Sequence, residues 1–128
     1  VKVIDSSALI KYLTKEDGWE NVETHIREGC MTLELAIKET ANALAKKVLR
    51  NETTIETSKR ITAQMLKIVK IMPQMEYLSK ALEIAAKHKI TIYDALFIAL
   101  AVNANQPLIT SDRKQFEVSE KYTTTILV

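Results

Sequence analysis

A chain of 128 residues has the length of one domain, and 47% hydrophobic residues exclude a disordered polypeptide. One cysteine excludes a disulfide scaffold, no apolar run approaches the ~18 residues of a membrane span, and Asp5 interrupts the N-terminal apolar run too early for a secretory signal. The reading is a single domain over residues 1–128, expected in the cytoplasm, whose net charge of +2 does not by itself announce a polyanionic partner.

Only two glycines and two prolines occur, so connections are short and most residues belong to regular elements. Val1 to Ile4 reads as a buried strand and Ser7 to Leu13 as a helix with Leu9, Ile10 and Leu13 inward. Gly18 breaks the chain. A second amphipathic helix with Trp19, Val22 and Ile26 in phase runs to about Glu28, and Gly29 ends it. Cys30 to Leu33 is the next strand, its cysteine a buried and inert thiol. Glu34 to Arg50 and Thr54 to Lys67 form a helical hairpin, the first marked by Ile37, Ala41, Leu44, Ala45 and Val48, the second by Ile55, Ile61 and Met65. Ile68 to Met72 is a strand closed by Pro73. Met75 to Lys89 is a helix with Leu78, Leu82 and Ala85 inward, and Tyr93 to Ala104 is a helix apolar almost all round, hence buried. PLIT and TTILV are strands flanking a short helix near Arg113 to Glu117. Short continuous apolar strands alternating with helices predict a parallel sheet covered on both faces. Ligands of such sheets bind beyond the carboxyl ends of the strands, where Asp5 and Asp112 fall.

Four acidic residues stand out, each with a plain structural explanation beside the chemical one. Asp5 and Asp112 precede helices and have the position of N-caps, and Asp94 lies three residues after Thr91, the spacing of a capping box. Glu39 has the look of a solvated helix residue, yet it faces Leu35, Ala36, Asn42 and Ala43 rather than a basic partner, whereas Glu34 has Lys38 four residues on. Asp94 opens a helix expected to be buried and must be buried itself or face a cleft. If these carboxylates gather, each pair at about 4 Å repels by roughly 4 kcal/mol at an effective dielectric near 20, a cost that capping alone does not explain and a divalent cation relieves. Oxygen ligands without His or Cys suit Mg²⁺ or Mn²⁺. His25 and His88 lie outside the constellation and read as surface positions. With four of the 16 acidic residues neutralised, the 18 basic residues outnumber the rest by six, a better match to a polyanion.

The stretches VIDSSALIKYL, LELAIKETANAL, TIYDALFIALA and PLITSDRKQF together resemble the PIN domain family, most closely its single-domain VapC-type ribonuclease toxins, and the resemblance covers essentially the whole chain. It implies a three-layer α/β/α fold with a central parallel sheet of about five short strands in the order 3-2-1-4-5. It also implies that Asp5, Glu39, Asp94 and Asp112 bind one or two Mg²⁺ or Mn²⁺ ions, supported by Ser6, Asn42 and Thr110. Many relatives carry a further acidic or metal-supporting residue after the last aspartate, where this chain has Arg113, Lys114 and Gln115, which bears on the second ion.

The reaction so implied is endonucleolytic cleavage of single-stranded RNA by a metal-activated water, leaving a 5′-phosphate and a 3′-hydroxyl. Asp5, Asp94 and Asp112 would hold the cation and Glu39 would orient or deprotonate the water. Arg113 and Lys114, with Lys11 and Lys46 behind them, are the candidate phosphate contacts, and each is also readable as a solvated cation. The partners implied are RNA, an antitoxin protein and a second copy of the chain. Other readings are a housekeeping RNA-processing nuclease and an inactive PIN-like binding module for RNA or protein. A phosphoacceptor using Asp5 ranks below them, because the DSS after the first strand lacks the second aspartate of a DxD pattern.

Overall fold

The computed structural model describes residues 1–128. Its strands are β1 (Lys2–Ile4), β2 (Cys30–Leu33), β3 (Val69–Met72), β4 (Leu108–Thr110) and β5 (Thr125–Leu127), all parallel, in the order β3-β2-β1-β4-β5. The helices are α1 (Ser6–Leu13), α2 (Glu20–Glu28), α3 (Glu34–Leu49), α4 (Ile55–Ile68), α5 (Leu78–His88), α6 (Ile92–Ala104) and α7 (Arg113–Ser119). Right-handed crossovers in this strand order put α1 to α4 on one face and α5 to α7 on the other. The packing of α1 on α2 and α3, and of α6 on α5 and β1, agrees. This is the α/β/α architecture expected from the sequence.

β1 is central, with the half-buried Lys2 at its start and an apolar pair behind it. Val3 and Ile4 are fully buried, as are Leu108 and Ile109 of β4 beside them, in the register Val3 with Leu108 and Ile4 with Ile109. The Thr32 hydroxyl of β2, also fully buried, donates to the Ile4 carbonyl at 2.6 Å. The chain leaves β1 toward β2 in one direction and reaches β4 from the other side only after β3, so the crevice between the ends of β1 and β4 is the topological switch point.

Helix α6 is the buried spine, with Ala95 through Ala101 almost wholly removed from solvent. Thr91 starts it, its hydroxyl accepting from the Asp94 N–H, and Asn105 ends it in a left-handed conformation. α2 stops at Gly29, whose φ of +98° suits glycine and turns the chain into β2.

Element boundaries agree with the sequence reading to within a few residues, with three departures. Met75–Tyr77 form a separate 3₁₀ turn before α5, in keeping with the constraint Pro73 puts on the chain entering the helix. Leu82 points outward and is 62% exposed, because α5 buries Ala81 and Ile84 instead. Ile55, expected inward at the start of α4, is exposed as well.

Replacing Leu100 by Ala should cost about 2–5 kcal/mol in a denaturant titration, whereas Leu82→Ala should stay within about 0.5 kcal/mol of wild type.

Candidate active site

All four acidic residues line one cleft of about 400 Å³ at the carboxyl edge of the sheet. Each arrives from a different element: Asp5 from the end of β1, Glu39 from the second turn of α3, Asp94 from the first turn of α6 and Asp112 from the loop after β4. None forms an ion pair. Glu34 and Lys38, by contrast, make the ordinary pair four residues apart, at 3.3 Å.

Asp5 is the buried member, 4% exposed. Its Oδ1 accepts from the Ala8 N–H at 3.1 Å, capping α1, and from the Ser7 hydroxyl at 2.6 Å. Ser7 Oγ in turn lies 3.2 Å from Thr110 Oγ1 and accepts from the Ser111 N–H at 3.0 Å, tying the end of β1 to the end of β4. Burial pushes the Asp5 carboxyl up to about 6, against the pull of these hydrogen bonds, and the charge of Asp94 adds to the rise.

The other three open onto solvent in the cleft. Asp94 is raised above the ordinary carboxylate range by partial burial and then by the charges of Asp112 and Glu39. Asp112 accepts from the Gln115 N–H at 3.0 Å and caps α7. Glu39 Oε1 accepts from the Ser6 hydroxyl at 2.5 Å. The capping and cleft readings are therefore both true of Asp5 and Asp112: the same carboxylate closes a helix and faces its fellows.

The carboxylates share the cleft without packing together, and no three His, Cys, Asp or Glu side chains converge closely enough to form a finished ligand set. The four acids thus line one cleft without forming the close cluster considered from the sequence. The donors are nonetheless carboxylate oxygens alone, uncompensated by any cation in contact. That chemistry fits a hard divalent ion that keeps part of its water shell.

The expected supports are found in two ways. Ser6 and Asn42 line the cleft, while Thr110 is fully buried beneath it, where its hydroxyl accepts from the Asp112 N–H at 3.1 Å. The basic rim differs from the expectation. Lys46, Lys47 and Arg50 of α3 line the cleft, and Arg113 and Lys114 do not, although Lys114 is near enough to draw Asp94 downward. Arg113 and Lys114 sit at the outer start of α7 because Asp112 spends its inner side capping that helix. Lys11 turns away to donate to the Val128 carbonyl at 3.2 Å. Glu39, Asn42, Ala43, Lys46, Lys47 and Arg50 recur at three- and four-residue steps, a helical stripe present in the sequence. Gln115 lacks such a signal. Its Nε2 donates to the Asp94 carbonyl at 2.8 Å, joining α7 to α6, and nothing in the linear pattern pairs those positions.

Neither histidine reaches the cleft, and both are half-buried rather than free on the surface. His25 Nδ1 lies 3.2 Å from Lys2 Nζ and His88 Nε2 lies 2.7 Å from the Tyr122 hydroxyl. Burial holds the Cys30 thiol up at about 11, consistent with an inert role.

These features define a class: a parallel α/β/α domain with an acidic cleft at its topological switch point. The PIN domain family model matches residues 2–121, and the chain belongs to that family. It is 30% identical over 125 residues to Ribonuclease VapC3 of Pyrobaculum aerophilum, an alignment covering 94% of this chain and 93% of that protein. The crystal structure of PAE2754 from the same organism superposes with a TM-score of 0.77 at 27% identity, covering 97% of this chain and 82% of that one. FitAcB from Neisseria gonorrhoeae shares the fold at a TM-score of 0.71 and 15% identity, over 98% of this chain and 96% of that one.

Because the folded carboxyl of Asp5 titrates near 6 rather than at its ordinary 3.8, the folded state holds a proton that the unfolded chain has released between those values. Stability in chelator should therefore fall as pH rises from about 4 to above 6. Asp5→Asn, which cannot ionise, should be more stable than wild type by about 1–3 kcal/mol at pH 8, the difference vanishing toward pH 4. Urea titrations at several pH values measure this, and a difference independent of pH would refute it.

Proposed function

We propose that this chain is a divalent-cation-dependent endoribonuclease acting on single-stranded RNA, and that it is the toxin of a toxin–antitoxin pair. One observation carries the reading: four acidic side chains from four separated elements line a single cleft without a basic partner, under a rim of Lys46, Lys47 and Arg50. Of the three rim cations only Arg50 is paired, with Glu52 at 2.7 Å. Family membership and the likeness to a ribonuclease support the choice of phosphodiester chemistry.

Asp5, Asp94 and Asp112 are the residues that would hold Mg²⁺ or Mn²⁺, with Glu39 facing them. When bound, such an ion supplies an acidified water and screens the charge of the scissile phosphate. Asp5 is the fixed point, locked by the Ala8 N–H and the Ser7 hydroxyl, and Glu39, Asp94 and Asp112 present their exposed carboxylates to the same cleft. Glu39 is kept aimed by the Ser6 hydroxyl and is suited to accept the proton of the attacking water. Lys46, Lys47 and Arg50 bind backbone phosphates flanking the scissile one and concentrate the polyanion at the cleft.

The antitoxin reading draws on the α3–α4 hairpin, which carries a mainly apolar groove of about 290 Å³ lined by Ala41, Leu44, Ala45, Val48 and Ile55. A groove of this kind suits the apolar face of a partner helix. The same hairpin is the proposed face for self-association. A toxin–antitoxin complex from Klebsiella pneumoniae and VapBC2 from Rickettsia felis, bound to a DNA fragment from its promoter, share the fold.

Incubation with defined single-stranded RNAs should give cleavage with Mg²⁺ or Mn²⁺ and none with chelator. Asp94→Asn should reduce the rate by about 10²-fold or more while keeping the wild-type circular dichroism spectrum. Full activity in that variant, or in chelator, would overturn the assignment. Expression should also arrest growth unless the cognate antitoxin is co-expressed.

A further inference from the structure

The acidic cleft does not end at α3. Lys47 lines it on one side and on the other lines a second cavity of about 410 Å³, enclosed by the end of α1, α3 and the start of α4. Lys47 is half-buried between the two and takes part in no ion pair. The outer wall of the second cavity carries Lys15, Thr53, Thr57 and Gln64, and Leu44 and Ile61 give it an apolar floor. Its one acidic residue, Glu52, is already neutralised by Arg50 at 2.7 Å. Lys15 has no carboxylate partner, and its ammonium lies 3.9 Å from the centroid of the Trp19 ring, which packs with Tyr12.

A cavity of this size is large enough for a nucleotide. It offers an apolar surface for a base, the side chains of Thr53 and Gln64 for its polar edge, and two cations without carboxylate partners, Lys47 and Lys15, for the phosphates that flank it. Those are the elements by which unstacked single-stranded RNA is held. Lys47 is the only residue that lines both cavities and also bears a free charge. We propose that the second cavity is a subsite for a nucleotide flanking the scissile phosphate, with Lys47 gripping the phosphate at the crossing. This rests on the nuclease reading and extends it: the chain grips RNA beyond the bond it cuts, and its base preference is set on α1 and α4 rather than in the acidic cleft.

Fluorescence anisotropy tests the subsite apart from catalysis, using the full chain with Asp94→Asn and labelled RNAs, a dinucleotide and a hexanucleotide. Gln64→Trp, at an exposed helix position, fills the cavity, and Lys15→Gln removes its charge while leaving the cleft intact. Gln64→Trp should weaken the hexanucleotide about tenfold and leave the dinucleotide unchanged. Lys15→Gln should reduce the salt dependence of hexanucleotide binding by about 0.7 in log–log slope. Equal losses for both lengths, or none, would overturn the subsite and leave that cavity to protein contacts. Length-dependent binding by the Asp94→Asn chain, together with no cleavage by the wild-type chain in Mg²⁺ or Mn²⁺, would sink the nuclease reading but uphold the subsite.

Discussion

The structure depends on aiming helix N-termini at carboxylates that repel one another. Asp5 caps α1, Asp112 caps α7 and Asp94 sits in the first turn of α6, so three of the four acids stand where backbone N–H groups and the positive end of a helix offset their charge. Each such contact contributes typically about 0.3–1 kcal/mol. That is enough to hold the acids in place and too little to cancel their repulsion. Burial raises the carboxyls of Asp5 and Asp94, and the neighbouring acidic charges raise them further. The cleft thus gathers four carboxylates with no cation in contact, a chemistry that fits a hard divalent ion.

The hydrogen-bond network beneath the cleft explains why the sheet edge can bear the load. Ser7 and Thr110 join the ends of β1 and β4, and Gln115 joins α7 to the start of α6. The Asp94-bearing helix is further held by its apolar surround, from Ala95 to Ala101. Packing thus fixes the backbone under each carboxylate, while Glu39, Asp94 and Asp112 keep their side chains in solvent.

On the opposite wall α3 does two jobs with one face. Its stripe begins with an acid, Glu39, and ends with cations, Lys46, Lys47 and Arg50, so polarity changes sign along the helix over about two turns. Acid thus faces the other carboxylates at the inner end, and base stands at the outer end of the cleft. The cationic end also lies near the helix C-terminus, where the macrodipole favours positive charge.

Much of this was legible in the chain itself. Short, mostly apolar strands such as VKVI and the all-apolar helix ALFIALAV specified a doubly covered parallel sheet, because segments with little polar surface of their own must be covered by other elements. Asp5 and Asp112 stood out because each follows an apolar strand, and Glu39 and Asp94 because each lacks a basic neighbour one helical turn away, which are properties of neighbours along the sequence. What local pattern could not hold was distance between elements. Only tertiary packing decided that Lys46, Lys47 and Arg50 rim the cleft while Arg113 and Lys114 lie outside it, that Ser7 and Gln115 tie the site together, and that Leu82 faces solvent. The physical reason is common to all: periodicity identifies a face, but which face meets which is set by the crossing of helices on the sheet, and no single segment encodes that.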